Sequence, residues 1–360
     1  AQSKEDGEGP EETLIENFYG NAAAAHTLEE AIKSGRIPQT ILLAGPEGTG
    51  KATLARRFAA VLLGGAAKIE QDDLSLPQNR ELIAEREKWT SEKRAEAPLL
   101  FASQPDFLTF APEGPLRQLS IPQMRLLRER APFKPLAGSH RVFLIDHLDR
   151  ANEQAANSLL KVLEEPPPHL IIVTTVENVF DLLPTIRSRV VVLQMGRLSD
   201  AEMRAFARAR GLADPDLRLA LAEGCPGVAA SLNLEEFRER RALVLSALEC
   251  GAELKHFAAW VRESESFGSR KSEKLDFYLK LGYGILEDIL AVQSGAPIGQ
   301  NRDVEQRIGA ISRSVGFAWT ERAVRALDEL VSMVRRNIQK TAALDAMIIN
   351  LRNSRHSTLA

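Results

Sequence analysis

Cysteine is scarce in this sequence, which contains only Cys225 and Cys250 among its 360 residues. Two thiols are too few to form a zinc site, and these two lie too far apart in sequence to form a paired-cysteine motif. In a reducing compartment, such unpaired cysteines usually pack as small apolar side chains. We therefore expect two buried free thiols.

Long apolar runs are absent as well. No stretch of about 18 apolar residues occurs, and the N-terminus lacks the basic and then apolar pattern of a secretory signal. We therefore expect no membrane partner and a cytoplasmic location. An excess of one charge is also lacking, since the net charge is −3 and the isoelectric point about 6.2. This balance gives no electrostatic reason for the chain alone to bind nucleic acid strongly.

Helix and strand patterns fill most of the chain and predict several domains, because single cores rarely grow beyond about 250–300 residues. Residues 13–197 alternate apolar strands with amphipathic helices, which predicts an α/β domain with a parallel sheet. Residues 198–245 and 246–360 contain only helical patterns. Residues 1–12 are acidic and rich in glycine, so we expect a disordered leader. The charged segment 66–100 predicts a solvated helical insertion.

Residues 41–53, I-L-L-A-G-P-E-G-T-G-K-A-T, combine an apolar strand, a glycine-rich loop and the start of a helix. Gly45, Gly48 and Gly50 allow the backbone to turn with its N–H groups inward. Lys51 adds a positive charge at the N-terminus of the helix. This combination predicts a phosphate-binding loop.

The loop lacks one part of the usual pattern, which is a hydroxyl at position 52 that binds Mg²⁺. This chain has Ala52. Thr53 is a poor substitute, because one residue along a helix turns the side chain by about 100°. A second buried strand, within residues 141–149, ends at Asp146. Because ligands bind at the carboxyl ends of parallel strands, we expect Asp146 to lie near the loop.

Four segments resemble the AAA+ ATPases and, within them, the clamp-loader subunits of bacterial DNA polymerase III, of the delta prime type. The resemblance covers residues 15–350. The most specific segment is R-V-F-L-I-D-H-L-D-R-A-N-E-Q-A-A-N-S-L-L-K-V-L-E-E-P-P at 141–167. The others are S-I-P-Q-M-R-L-L at 120–127, T-T-V-E-N-V-F-D-L-L-P-T-I-R-S-R at 174–189 and G-C-P-G-V-A at 224–229.

The resemblance implies a function for each predicted domain. Residues 13–197 would form the AAA+ nucleotide-binding module, with Thr174 among its nucleotide contacts. Residues 198–245 would form a small helical lid and residues 246–360 an all-α collar for assembly.

Three positions depart from the active members of this family. These members carry a glutamate after the acid at the strand tip, where it polarises the attacking water. This chain has His147 there, and an imidazole carries no negative charge. Active members also carry an arginine in the lid, where this chain has Val228. Together with Ala52, these departures affect the metal ligand, the base and the phosphate sensor of one reaction. We therefore expect lost hydrolysis, although alanine and valine are also ordinary core residues.

Arg189 keeps the family pattern. In this family a Ser-Arg-Cys motif presents an arginine finger to the ATP of the neighbouring subunit, and this chain has Ser188, Arg189 and Val190. The resemblance therefore implies that Arg189 acts in trans. The alternative interpretation is an arginine at a helix end that pairs with a nearby acid.

Cofactors and partners are also implied by the resemblance. Family members carry a four-cysteine zinc module where this chain has the cysteine-free segment 66–100, so we expect no zinc. ATP or ADP could still bind at the loop without turnover, and the sequence leaves this open. The expected partners are gamma/tau motor subunits and a delta subunit in a ring, and through that ring a sliding clamp and primed DNA.

The leading hypothesis is a non-hydrolysing clamp-loader subunit that completes this ring. One alternative is the ATP-hydrolysing motor subunit itself, against which Ala52 and His147 speak. Another is an AAA+ nucleotide-binding scaffold unrelated to replication, against which the collar resemblance speaks.

Overall fold

The computed structural model describes residues 14–269, 275–334 and 340–356 of the chain. The predicted leader at residues 1–12 lies outside these ranges, as does part of the predicted collar. The chain forms two compact units. The first comprises Ala1–Leu212 and Ala222–Ser231, and the second Ala213–Leu221 and Leu232–Ala360. A separate lid domain over residues 198–245 stays a prediction.

The first unit is built on a six-stranded sheet. Its spatial order is β2-β3-β4-β5-β1-β6. In chain order the strands are β1 (Thr40–Ala44), β2 (Phe101–Gln104), β3 (Phe107–Phe110), β4 (Arg141–Ile145), β5 (Leu170–Val176) and β6 (Val191–Gln194).

Most of the sheet is parallel. Strands β3, β4, β5, β1 and β6 all run parallel to their neighbours, which confirms the predicted α/β architecture. Edge strand β2 is the exception within this sheet, because it runs antiparallel to β3. A turn at residues 105–106 reverses the chain there, and the Gln104 side chain accepts a hydrogen bond from the Asp106 N–H.

Helices cover both faces of this sheet and connect its strands. They are α1 (Ala22–Lys33), α2 (Lys51–Leu63), α3 (Ala66–Ile69), α4 (Pro77–Arg86), α5 (Ser91–Glu96), α6 (Ile121–Arg130), α7 (Glu153–Glu164), α8 (Pro184–Arg187) and α9 (Asp200–Arg210). Two short helices follow, α10 (Pro215–Ala222) and α11 (Pro226–Ser231). Helices α6 and α9 each begin at a capping box, formed by Ser120 with Gln123 and by Ser199 with Glu202.

Two apolar layers hold the helices on the sheet. Every residue of β1 is buried, as expected for a central parallel strand. Ile41 and Leu43 pack with Leu54 and Phe58 of α2. Leu42 faces the other side and packs with side chains of α6 and α7. The alternation of strand side chains therefore fixes α2, and with it the preceding loop, on one face.

Residues 14–21 are not helical and form turns ahead of α1. The helix begins at Ala22, because Asn17, Gly20 and Asn21 have φ angles of 54°, 71° and 49°. Such left-handed residues do not continue an α-helix. A Cβ at Gly20 would lie 2.4 Å from Leu198 Cγ, so this turn packs tightly.

The insertion is helical, as predicted, but it is not simply solvated. It contains α3, α4 and α5, and buries Ile69, Ile83 and Leu99. Arg86 is buried as well and donates to Glu113. The expectation of a solvated segment is therefore wrong for these buried residues. Their spacing is too irregular to produce an amphipathic pattern in the sequence.

The second unit is helical over its described residues. A buried cluster that includes Trp260, Ile285, Ile289 and Ile348 forms its core. Its longer helices are α12 (Leu234–Gly251), α13 (Phe257–Ser269), α14 (Leu275–Gln293), α15 (Glu305–Ser314), α16 (Phe317–Val334) and α17 (Lys340–His356).

Both cysteines are free and buried, as predicted. Among the helices in the described ranges, none has the length and apolar character needed to cross a membrane.

Candidate functional site

Strand β1 ends in the predicted glycine-rich loop, which leads directly into α2. Gly45, Gly48 and Gly50 have φ angles of 154°, 79° and 94°, in the region that favours glycine. The packing around the loop also excludes a side chain, because a Cβ at Gly45 would lie 1.9 Å from the carbonyl oxygen of Met195. A Cβ at Gly48 would lie 2.7 Å from Val228 Cγ2. The loop therefore has both the backbone and the packing that its glycines imply.

Lys51 begins α2 and is nearly buried, with 6% of its surface exposed. Its ammonium group donates to the carbonyl oxygens of Gly45 and Pro46 at 2.5 and 2.8 Å. Burial lowers the pKa of Lys51, and the carboxylate of Asp146 acts in the opposite direction. Lys51 therefore lies against its own loop, where a bound phosphate would compete for the same protons.

Asp146 lies at the end of β4, close to the loop as predicted. Its Oδ1 accepts a hydrogen bond from Thr175 Oγ1 at 2.6 Å. The same hydroxyl accepts from the backbone N–H of His147 at 2.8 Å. His147 has a φ of 54°, and its Nε2 lies 4.0 Å from Asp146 Oδ2. The buried His147 Nδ1 has no hydrogen-bond partner.

Thr174, which was also predicted to contact a nucleotide, does not join the loop, Lys51 and Asp146. Its hydroxyl donates to the Ile41 carbonyl on β1 at 3.4 Å. Thr175, which was not predicted, is the residue that contacts Asp146. Successive side chains along a strand point to opposite faces of the sheet. The alternation along β5 was therefore the sequence signal that could have separated Thr175 from Thr174. The nucleotide contact of Thr174 stays a prediction.

The residues at the loop do not fit Mg²⁺ as phosphate loops usually hold it. Ala52 offers no oxygen where the ligand hydroxyl would stand. Thr53 lines the same cleft, but its hydroxyl is 3.5 Å from Arg56 Nη2, which donates to it. One oxygen of Asp146 is occupied by Thr175. Within the described ranges no cluster of three or more His, Cys, Asp or Glu side chains could hold a metal ion.

Helix α11 packs directly on the phosphate loop. The backbone N–H of Gly227 donates to the Gly48 carbonyl at 2.8 Å, and Val228 lies against Gly48. An apolar side chain of α11 therefore contacts the loop directly.

A cleft of about 640 Å³ extends from this loop, within the roughly 300–1,000 Å³ usual for ligand sites. Its wall includes Phe18 and Tyr19 from the segment before α1, and Phe206 from α9. The Tyr19 and Phe206 rings meet edge to face with centroids 5.6 Å apart. The cleft therefore joins a phosphate-binding loop to an aromatic wall.

The charged insertion forms another part of this wall, which the sequence did not reveal. Asp73, Ser75 and Arg80 line the cleft. Arg56 of α2 anchors this segment, since its Nη2 donates to Asp73 Oδ2 at 2.6 Å. Arg210, the last residue of α9, also lines the cleft. No motif marks these residues, because their function follows only from how the insertion folds back.

Arg189 lies outside this cleft, just after α8. Its Nη1 donates to the carbonyl of Thr185 at 2.8 Å, and its Nη2 lies 2.8 Å from Glu164 Oε1. The carbonyl of Arg189 accepts from Thr40 Oγ1 at 2.5 Å. Thr40 begins β1, whereas the phosphate loop follows the end of the same strand. Arg187 lies nearby, with its guanidinium 5.2 Å from the ring centre of the exposed Phe180.

A sequence profile described as DNA polymerase III, delta subunit, matches residues 20–199, which is half of the chain. Subunit gamma/tau of DNA polymerase III from Mycobacterium tuberculosis H37Rv is 29% identical over 179 residues, which are 50% of this chain and 28% of that protein.

Two delta′ subunits of DNA polymerase III are also similar. The Pseudomonas aeruginosa protein is 30% identical over 219 residues, covering 58% of this chain and 60% of that protein. The Bacillus subtilis protein is 28% identical over 278 residues, covering 74% and 76%. The chain thus matches less than two thirds of the length of the Mycobacterium and Pseudomonas relatives.

Proposed function

Because the chain belongs to the family described as DNA polymerase III, delta subunit, we propose that it is a delta prime type subunit of the clamp loader. It binds gamma/tau motor subunits and a delta subunit in a cytoplasmic ring that loads a sliding clamp on primed DNA. It does not hydrolyse ATP itself. The observation that carries this proposal is the convergence of Ala52, His147 and Val228 on one phosphate loop.

Each of these three side chains removes a different requirement of hydrolysis. Ala52 lines the cleft without an oxygen for a metal ion. His147 stands beside Asp146 with no carboxylate to polarise a water molecule. Val228 packs on Gly48 and brings no positive charge to a terminal phosphate. A nucleotide at this loop would therefore be bound but not cleaved.

The position of Arg189 supports a function in a neighbouring subunit. Its backbone is tied to Thr40 at the start of β1, at the opposite edge of the sheet from the loop of its own chain. An arginine there is unsuited to its own cleft but available to a ligand outside the subunit. An arginine that stabilises the transferred phosphoryl group in trans raises the rate by about 10³–10⁵-fold in other nucleotide hydrolases.

The ion pair with Glu164 is the alternative explanation for Arg189. About one third of the arginine side chain and 46% of the glutamate side chain are exposed. Exposed ion pairs contribute only about 0–1 kcal/mol, so a triphosphate could displace Glu164 at little cost. In the isolated chain Glu164 keeps the guanidinium close to its backbone.

The motor subunit remains a second candidate, because the gamma/tau protein of Mycobacterium tuberculosis is as similar as the delta′ proteins over its matched region. A motor would require hydrolysis at this loop. The side chains of Ala52 and His147 disfavour that reaction, so ATP turnover by the purified chain separates the two candidates.

The test is a reconstituted clamp loader containing wild-type chain or the Arg189→Ala variant. We expect no turnover by this chain alone, and a loss of DNA-stimulated turnover in the variant ring of about 10³-fold or more. Robust hydrolysis by the isolated chain would refute the delta prime assignment.

Two control variants separate the finger from the ion pair. Glu164→Ala breaks the same pair but leaves the arginine, so we expect ring turnover to persist. Arg125→Ala removes an exposed arginine elsewhere in the first unit and should also leave turnover unchanged. Equal losses in the Arg189 and Glu164 variants would show that the pair only supports the local fold.

A further inference from the structure

Two arginines that line the cleft have no carboxylate partner. Arg80 lies on α4 of the insertion and Arg210 at the end of α9, and both are exposed. Neither forms an ion pair with any residue in the described parts of the chain. The guanidinium of Arg210 lies 6.0 Å from the ring centre of Phe206. Both positive charges are therefore available to a ligand.

The other two cationic side chains that line the cleft, Arg56 and Lys51, already have partners. Arg56 pairs with Asp73 at 2.6 Å and with Glu70 at 3.3 Å. Lys51 donates to two loop carbonyls. Arg80 and Arg210 thus supply the uncompensated positive charge of the cleft wall.

Hydrogen bonds made by the neighbouring Asn79 fix the backbone that carries Arg80. The preceding Asn79 is buried, and its side-chain amide donates to the carbonyls of Gln71 and Asp73 at 2.7 and 2.8 Å. Asp73 is in turn fixed to α2 by Arg56. The segment that carries Arg80 is therefore bonded to the helix that follows the phosphate loop.

A polyphosphate bound at this loop would need its negative charge balanced. Phosphate loops usually share this task between the lysine and a Mg²⁺ ion. The metal does not fit here, because Ala52 provides no ligand and Asp146 is engaged by Thr175. Arginine is a suitable replacement, since its guanidinium forms strong paired hydrogen bonds with phosphate oxygens.

We propose that the cleft binds a nucleoside diphosphate or triphosphate without a divalent cation, with Arg80 and Arg210 balancing the charge of the phosphates. Phe18 and Tyr19 provide an aromatic surface for the base. Phe18 also lies against the loop itself, because a Cβ at Gly50 would be 3.2 Å from its Cε2. This inference rests on the proposed function, in which a nucleotide at the loop would not be cleaved, and adds what the cleft binds.

The experiment measures the Kd of the full chain for fluorescently labelled ADP and ATP, with Mg²⁺ or with EDTA. We expect the two conditions to agree within about twofold, whereas metal-dependent sites lose affinity when the ion is removed. Arg80→Ala and Arg210→Ala should each weaken binding by about tenfold or more, as expected for a lost charge-assisted hydrogen bond.

The matched controls are one cation of the insertion and one of α9, both outside the cleft wall. Lys88→Ala removes an exposed cation of the insertion, and Arg208→Ala removes one from α9. Both should bind as the wild-type chain does. If the controls weaken binding as much as the cleft variants, the arginines act only through net charge and the inference fails.

Other results would also overturn it. These are binding that is lost in EDTA, no binding at millimolar nucleotide, or competition by inorganic triphosphate that equals competition by ATP. The ring assay with Arg189→Ala is independent of this measurement. A chain that binds no nucleotide but still supports ring turnover would refute this inference and leave the proposed function intact.

Discussion

We predict that removing one partner of the ion pair between Arg86 and Glu113 strongly lowers the free energy of local unfolding. The two side chains are 7% and 1% exposed. Arg86 Nε donates to Glu113 Oε2 at 2.8 Å, Nη2 lies 2.7 Å from the same oxygen, and Nη2 donates to the carbonyl of Ala97. Arg86→Met would leave the Glu113 carboxylate buried without its cation. Breaking a buried pair in this way costs about 3–5 kcal/mol.

A double variant separates the charge from the shape of this site. In Arg86→Met with Glu113→Leu no charge remains buried, so we expect most of the lost stability to return. Glu87→Gln is the matched control, because Glu87 pairs nearby with Arg117 but both side chains are 37–43% exposed. Such a pair contributes at most about 1 kcal/mol.

Amide hydrogen exchange over residues 77–100 is a suitable assay, because it reports the free energy of local opening rather than unfolding of the whole chain. Arg86→Met should accelerate exchange across this segment, and Glu87→Gln should not. Wild-type protection in Arg86→Met would refute the reasoning. So would a double variant that exchanges as fast as the single one, since the buried carboxylate would then not be the cause.

Two further predictions concern single groups. Gly48→Ala places a Cβ 2.7 Å from Val228 Cγ2 at a φ of 79°, whereas Gly138→Ala meets no atom within 4 Å at a φ of 76°. In chemical denaturation, Gly48→Ala should therefore cost about 1–3 kcal/mol more than Gly138→Ala, and equal losses would contradict the packing of α11 on the loop. Burial and the hydrogen bond donated to Asp328 raise the pKa of Tyr283 to about 12. Because the folded-state pKa is raised, the stability gained from this group is present below pH 10.0 and is lost as the pH rises towards about 12. Asp328→Asn should lower the midpoint of the phenol titration in ultraviolet absorbance, and an unchanged midpoint would contradict this assignment.

Parts of the fold were predictable because local sequence and tertiary packing agree. Strands β4 and β5 are continuous apolar runs, which only a sheet covered on both faces can bury. Helix α6 follows Ser120 and α9 follows Ser199, and each serine side chain accepts a hydrogen bond from one of the first free N–H groups of its helix. The phosphate loop was equally clear, because its glycines and Lys51 serve one local geometry.

The features that the sequence did not predict arise where contacts between distant residues decide the structure. The turn before α1 depends on Gly20 packing against Leu198, which lies far along the chain. Strand β2 forms because its residues pair with β3. The choice between Thr174 and Thr175 depends on which side of β5 faces Asp146. Arg80 joined the site only because the insertion folds back on α2, and no sequence period records that contact.

Strand β1 runs from Arg189, at one end of the sheet, to the phosphate loop at the other end. All five of its residues pair with β5, and four of them, from Ile41 to Ala44, also pair with β6. One end leads into the phosphate loop, and at the other Thr40 holds the carbonyl of Arg189. A strand bonded along both edges resists bending, so it acts as a stiff lever about 17 Å long. A displacement of the loop would therefore move Arg189 as well, and if Arg189 acts on a neighbouring subunit as proposed, occupancy of the cleft would alter how that arginine is presented.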